Sequence, residues 1–348
     1  MIDMKFPILR VTTLLMLCVS MALHAQDAND AGSYLGFIGA QYKEVAQSMM
    51  RYSSAAAHGK GARKVEKRRQ ELLMQIKETE RNVRRMKPFH GETRLRDSVV
   101  SYFNLCYHVL NEDYGKILNM EDIAEQSYDL MEAYLLAKEK AEEKLDDAGS
   151  RAGDEYAAFA TANHIKLIEG DSKLSEKMKV VSRVNAYYNQ LYLIQFKSFK
   201  DEVYFLDAFS RGDVSAMEQS IAALKSSSAD GLAKLVAIPN YNGDASIRNS
   251  CQELLKFYQR ETTTHFPAFV DLELKKENLN KMQKAMQTKR QSDRTQEEIN
   301  ALNAAITDYN NSANKVNGLA AERNKTSTNL LNAWNNRSNE FLDKYTPR

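Results

Sequence analysis

Histidines 58, 90, 108, 164 and 265 are the side chains best suited to acid–base or metal chemistry, and they stand singly along the chain. A zinc protease needs two histidines one helical turn apart around a glutamate. A di-iron bundle needs Glu-x-x-His pairs, and a thiolate site needs Cys-x-x-Cys. None of these spacings occurs, nor does a phosphate loop, a nucleophile elbow or a dinucleotide fingerprint. His90 is the most exposed candidate ligand, because it sits in the turn "PFHG", yet the related "PNYNG" further on has no histidine. No catalytic residue, metal or cofactor is therefore expected, and the chain reads as a non-enzyme.

What does recur is a short charged motif. "GETRLRDS" at 91–98 returns as "GDASIRNS" at 243–250, so Gly91 matches Gly243, Glu92 matches Asp244, Leu95 matches Ile247, Arg96 matches Arg248 and Ser98 matches Ser250. Pro88 and Pro239 precede the two copies, and Gly59 pairs with Gly212 upstream. Proline ends a helix because it lacks the N–H donor and its ring clashes with the turn before it. Glycine then gives the chain freedom to re-enter, including positive φ. Glu92 and Asp244 place a negative charge where a new helix exposes its N–H groups, each four residues before an arginine, and Leu95 and Ile247 should face the core. The motif reads chiefly as a helix starter. The alternative is that Arg96 and Arg248 form two equivalent anion sites.

Cysteine offers little more. Cys106 and Cys251 remain if the first residues are removed, and in an oxidising compartment they could pair. The plainer reading is two buried thiols packing as small apolar groups.

The elements that must position these residues are helical. With 14 glycines and 5 prolines in 348 residues, and 43% hydrophobic content recurring at helical spacing, the composition selects an all-α fold. Tyr34, Leu35, Ile38, Tyr42, Val45 and Met49 mark a first helix, and Val65, Leu72, Ile76 and Val83 a second. A third starts after Gly91, a fourth spans about 120–147, and a shorter one follows over "DEYAAFATANHIKLI". After "EGDSK" an aromatic helix carries Tyr187, Tyr188, Tyr192, Phe196, Phe199, Tyr204, Phe205 and Phe209. Most helices of this kind are buried on several sides, and Lys197, Lys200, Asp201 and Glu202 argue against a membrane span. A helix over 214–237 should stop at Pro239, and the next should break near 264–267. In the last segment Ile299, Leu302, Ile306, Tyr309, Ala313, Val316, Ala320, Leu330, Trp334 and Phe341 step as a heptad seam that Arg323 and Ser327 interrupt. The architecture expected is two tandem antiparallel helical bundles related by internal duplication, 26–173 and 174–348, with a long heptad-patterned helix at the C-terminus.

The first 25 residues read as a secretory signal peptide. Lys5 and Arg10 precede an apolar run over 11–22, too short for a span, and "ALHAQ" offers cleavage between Ala25 and Gln26. Cys18 follows Leu15, Met16 and Leu17, which is no lipobox. Removing the segment takes the formal net charge from +2 to +1, so nothing points to nucleic acid, and no transmembrane span is expected after cleavage. Charge is nonetheless segregated: residues 60–87 hold 11 basic and 4 acidic side chains, whereas 111–155 hold 14 acidic and 5 basic. Mutual pairing inside one bundle is the simpler account, and an anionic partner the alternative.

The export signal ending "ALHAQ", the two halves with their Pro and Gly turn, "FLDAFSRGD" and the Asn-rich terminal helix together resemble a helical surface-protein family of Bacteroidetes and leptospires. The resemblance implies location at the envelope and contact with host or envelope components, without any reaction to carry over. The expectation is an exported envelope or surface protein, periplasmic, surface-bound or extracellular, that acts as a binding or structural module for a protein or envelope component. A membrane-active helical protein and a small-molecule binder between the two bundles are the alternatives.

Overall fold

The computed structural model describes residues 30–58, 62–113, 128–167 and 173–347. Helix makes up 89% of it with no strand, so the chain is all-α. The helices are α1 (Ala31–Ala57), α2 (Ala62–Arg84), α3 (Arg94–His108), α4 (Tyr128–Ala162), α5 (Lys173–Arg211), α6 (Val214–Ala237), α7 (Ser246–Arg260), α8 (Phe266–Thr288) and α9 (Gln296–Tyr345). The signal segment, the Ala25–Gln26 junction and Gly59 lie outside the described residues.

Contacts divide the chain into two compact units. One runs to Asn189 and includes the chain from Asn339, and the other is Gln190–Ser338. The expected boundary at 173/174 falls in the first turn of α5, whereas both cuts lie inside helices, α5 and α9. A long helix can lend one stretch of its length to one core and the next stretch to another.

In the first unit α1 packs on α2, α2 on α3 and α3 on α4. Asp30 caps α1 by accepting from the Ser33 N–H at 3.1 Å. Leu35, Ile38, Tyr42, Val45 and Met49 then recur every three or four residues and are all buried. Each such side chain contributes about 1.5–3 kcal/mol of apolar transfer. Tyr42 meets Phe103 of α3 with ring centroids 4.8 Å apart, and the Tyr156 hydroxyl of α4 donates to the Leu35 carbonyl at 3.3 Å. The two helices expected around 120–168 are a single helix in the described range, running unbroken through Gly149 and Gly153. A mid-helix glycine costs only about 1 kcal/mol, which the buried neighbours Ala148 and Ala152 offset by packing.

The second unit is built on the aromatic helix α5. Tyr192, Phe196 and Phe205 are at most 1% exposed, so these aromatics are core. Phe205 stacks on Phe266 at 3.6 Å between centroids, and Ser198 and Ser227 share a hydrogen bond of 3.1 Å across α5 and α6. Among the described residues no helix is long and apolar enough to cross a membrane.

The long C-terminal helix is present, but its seam is not interrupted. Val316, Arg323, Ser327, Trp334 and Phe341 are all buried, so Arg323 and Ser327 continue the stripe as buried polar members of it. The break expected at 264–267 is a π turn, Glu261–His265, which passes directly into α8. Pro267 has no N–H to donate. Within the turn, the Thr263 and Thr264 hydroxyls both donate to the Arg260 carbonyl at 3.1 and 2.7 Å, a carbonyl other than the one Pro267 would have bonded.

Candidate functional site

The repeated motif is a tight two-residue turn followed by a helix. Phe89 and Glu92 exchange both backbone hydrogen bonds, at 3.1 and 2.9 Å, around His90 and Gly91, whose φ values are +49° and +86°. Tyr241 and Asp244 are bridged in the same way around Asn242 and Gly243, at φ +49° and +82°. Two successive positive φ values define the mirror-image type I turn, which favours Asn-Gly. His90 therefore stands where a left-handed residue is needed, in the place that Asn242 fills in the second copy.

The arginines of the motif are used structurally. Arg96 Nη1 donates to the Met86 carbonyl at 3.2 Å, and Arg248 donates through Nε and Nη2 to the Leu235 carbonyl at 3.1 and 2.8 Å. Each guanidinium ties the end of one helix to the start of the next. The acid-first pairs expected at four-residue spacing are displaced: Arg96 pairs with Asp97 at 2.8 Å and Glu92 with Arg94 at 3.3 Å, while the Asp244 carboxylate accepts from the Ser246 N–H at 2.9 Å. Its hydrogen bond from Arg96 holds the Asp97 carboxyl below the usual range. Leu95 and Ile247 are buried, as is Ser250, and Ser98 is half-buried.

Around the first turn an aromatic cluster forms. Tyr34 of α1 lies 5.4 Å from both Phe89 and Phe159, and Phe89 meets Phe159 at 5.2 Å. Beside it opens a cleft of 580 Å³ lined by Phe37, Met86, Lys87, Pro88 and His90 together with Tyr34 and Phe89. A smaller pocket of 210 Å³ shares Tyr34, Phe89 and His90 and adds Arg94, Glu155 and Asn163. Phe37 is 42% exposed, an apolar ring left at the rim. The Tyr34 hydroxyl is buried with no hydrogen-bond partner among the described residues, and burial raises its pKa. The cleft has the size and apolar lining of a small-molecule site, with Ser33, Lys87 and His90 among its polar groups.

The other histidines are dispersed. His58 ends α1 and lies 2.6 Å from Asp343, His108 closes α3, and His164 takes the left-handed position at the end of α4, at φ +56°. Among the described residues no three His, Cys, Asp or Glu side chains gather where they could hold a metal. Cys106 and Cys251 are free and buried, so the pairing considered for them is not made. Each thiol packs inside its own unit, where burial pushes it up to about 12, and the Cys251 thiol donates to the Leu191 carbonyl at 3.7 Å.

Sequence reasoning missed the buried ionic cluster of the second unit. Arg323 of α9 bridges Glu202 of α5 and Glu261 of the π turn, and His265 lies 2.7 Å from Glu261. The side chains of Arg323, Glu202 and Glu261 are 5%, 3% and 0% exposed. Burial pushes Glu202 up to about 7, with Arg323 pulling it down and the Glu261 charge adding to the rise. Tyr258, fully buried, has no hydrogen-bond partner for its hydroxyl among the described residues, beside this cluster. The one available signal was a lone arginine at a seam position of a mostly apolar stripe.

Only part of the segregated charge falls within the described residues. The basic helix α2 packs on α1 and α3, and its ion pairs include Arg68–Glu71, Arg69–Glu66 and Arg84–Glu80, all within the helix. Part of the acidic stretch, 114–127, lies outside the described residues. Comparison with models of protein families, with curated proteins and with solved structures found no match.

Proposed function

We propose that the chain is an exported, non-enzymatic helical module of the cell envelope or surface that takes up an apolar group of its partner in the cleft beside Phe37 and Phe89. The cleft carries this reading: 580 Å³ of mostly apolar space, open to solvent, with an exposed phenylalanine at its rim. The remaining chemistry-bearing side chains are consistent with it, because the arginines brace helix ends and the thiols are held protonated. The resemblance to envelope-surface proteins and the reading of the first 25 residues as a signal peptide support this location.

We infer further that the two units are tandem repeats. In each, the two-residue turn leads into a 15-residue helix, α3 or α7, and then a five-residue π turn, Val109–Asp113 or Glu261–His265, all displaced by the same 152 positions. The first copy carries the cleft, and the second carries the ionic cluster, with Val109 standing where Glu261 stands.

An environment-sensitive apolar dye tests the cleft. Its fluorescence should rise with the purified protein and fall in Phe37→Asp, but not in Leu274→Asp, which alters an equally exposed apolar residue elsewhere. Equal dye binding in all three proteins would remove the cleft as the site. An intact-mass spectrum of protein recovered from the envelope tests export, which requires a chain beginning at Gln26.

A further inference from the structure

The first unit holds a further pocket, of 350 Å³, where the C-terminal half of α1 meets the first turns of α2 and α5. Arg51, Lys64, Arg68 and Lys177 line it together with Met50 and Leu174, and no carboxylate is among its lining residues. The Arg51 guanidinium donates to a hydroxyl, Ser48 Oγ, at 2.5 Å and has no carboxylate partner among the described residues. Lys64 is exposed and has no carboxylate partner among the described residues. Arg68 is paired with Glu71, which lies outside the lining.

Four cationic side chains line so small a space, and like charges gathered there disfavour one another. An anion in the pocket reverses that sign. A single carboxylate offers one charge and two oxygens. A phosphate ester brings one charge as a diester or up to two as a monoester, on two or three free oxygens set tetrahedrally, which suits forked guanidinium donors flanked by point-charge ammonium groups. The buried Met50 and the half-buried Leu174 add an apolar wall beside the cations, fitting a ligand whose phosphate is attached to a carbon skeleton.

We propose that this pocket binds a phosphate-bearing ligand, with Arg51 and Arg68 on the phosphate oxygens and Lys64 and Lys177 completing the charge. Two sources share this chemistry, a free phosphorylated small molecule and the headgroup of an anionic phospholipid. The site is separate from the cleft beside Phe37 and does not depend on it.

The test measures calorimetric binding of inorganic pyrophosphate by the purified protein, and its co-sedimentation with phosphatidylglycerol vesicles against phosphatidylcholine vesicles. Affinity for at least one probe should fall about tenfold in Arg51→Gln and in Lys64→Gln, stay unchanged in Lys67→Gln on the same helix, and weaken steeply between roughly 50 and 200 mM salt. Pyrophosphate binding assigns the free ligand, and phosphatidylglycerol binding alone assigns the headgroup. Thermal melts by circular dichroism confirm folding, and because Lys64 is exposed its variant decides the matter if Arg51→Gln is unstable. Failure of both probes to bind, or equal loss in Lys67→Gln, overturns the proposal.

Discussion

Arg323 Nε lies 2.8 Å from Glu261 Oε2, joining the middle of α9 to the π turn after α7 inside a core that excludes water. The same guanidinium reaches Glu202 through Nη2 and Asn324 through Nη1, so each of its three nitrogens is engaged. Removing the arginine alone leaves two buried carboxylates facing each other. We expect Arg323→Ala to cost about 3–5 kcal/mol, read as a lowered urea midpoint. The joint change Arg323→Met, Glu202→Leu and Glu261→Val should recover most of that loss, since an apolar set of similar volume needs no compensation and the first unit already holds Val109 at the matching place. A triple variant as unstable as Arg323→Ala would show that the cluster does more than fill the core.

The cluster also gives stability a pH dependence of unusual sign. The Glu202 carboxyl is raised to about 7 in the folded protein, from 4.5 in the unfolded chain. The folded state therefore binds the proton more tightly between those values. Its contribution is fully present below pH 4.5 and is lost as pH rises to about 7. The loss amounts to roughly 3 kcal/mol at most by the usual conversion. Denaturant titrations of the wild type and Glu202→Gln at pH 5 and pH 8 should show the wild type losing stability relative to the variant. A constant difference between the two proteins excludes this titration.

Two helical glycines should respond oppositely to alanine. At Gly231 an added Cβ meets Ile194 Cγ2 and both Leu255 δ-carbons at 3.1 Å, so three branched methyls must give way at once. At Gly318 of α9 nothing lies within 4 Å. Gly318→Ala should gain about 1 kcal/mol of helix propensity, whereas Gly231→Ala should lose about 1–3 kcal/mol through overpacking. Thermal melts of the two single variants decide both.

The turns make a third comparison. His90 and Asn242 share φ +49°, and asparagine tolerates that region better. His90→Asn should leave stability unchanged or raise it by a few tenths of a kcal/mol, while Gly91→Ala and Gly243→Ala should each cost about 1–2 kcal/mol despite the open space around them, because the strain is in the backbone. Equal melting curves for the wild type and Gly243→Ala would sink the argument.

Cys106 and Cys251 should resist alkylation. With both thiols pushed up to about 12 and buried, iodoacetamide at pH 8 should label neither in the folded protein and both after denaturation. Mass spectrometry of the labelled chain reads the result directly.

The local pattern of the sequence was enough to determine the all-α fold, the buried face of α1, the limits of α6 and the place of the two matched turns. Apolar spacing, Asp213 as a cap accepting from the Ala216 N–H, and Pro and Gly punctuation act over a few residues, and those are legible without neighbours. The tertiary structure alone decided the rest. Arg323 read as a flaw in a heptad because its partners lie 121 and 62 positions away, and no local rule relates Glu202 or Glu261 to it. The basic pocket was hidden for the same reason: Arg51, Lys64 and Lys177 belong to three helices, and only packing brings their charges to one place. Burial and long-range charge are properties of neighbours in space, and the chain order does not contain them.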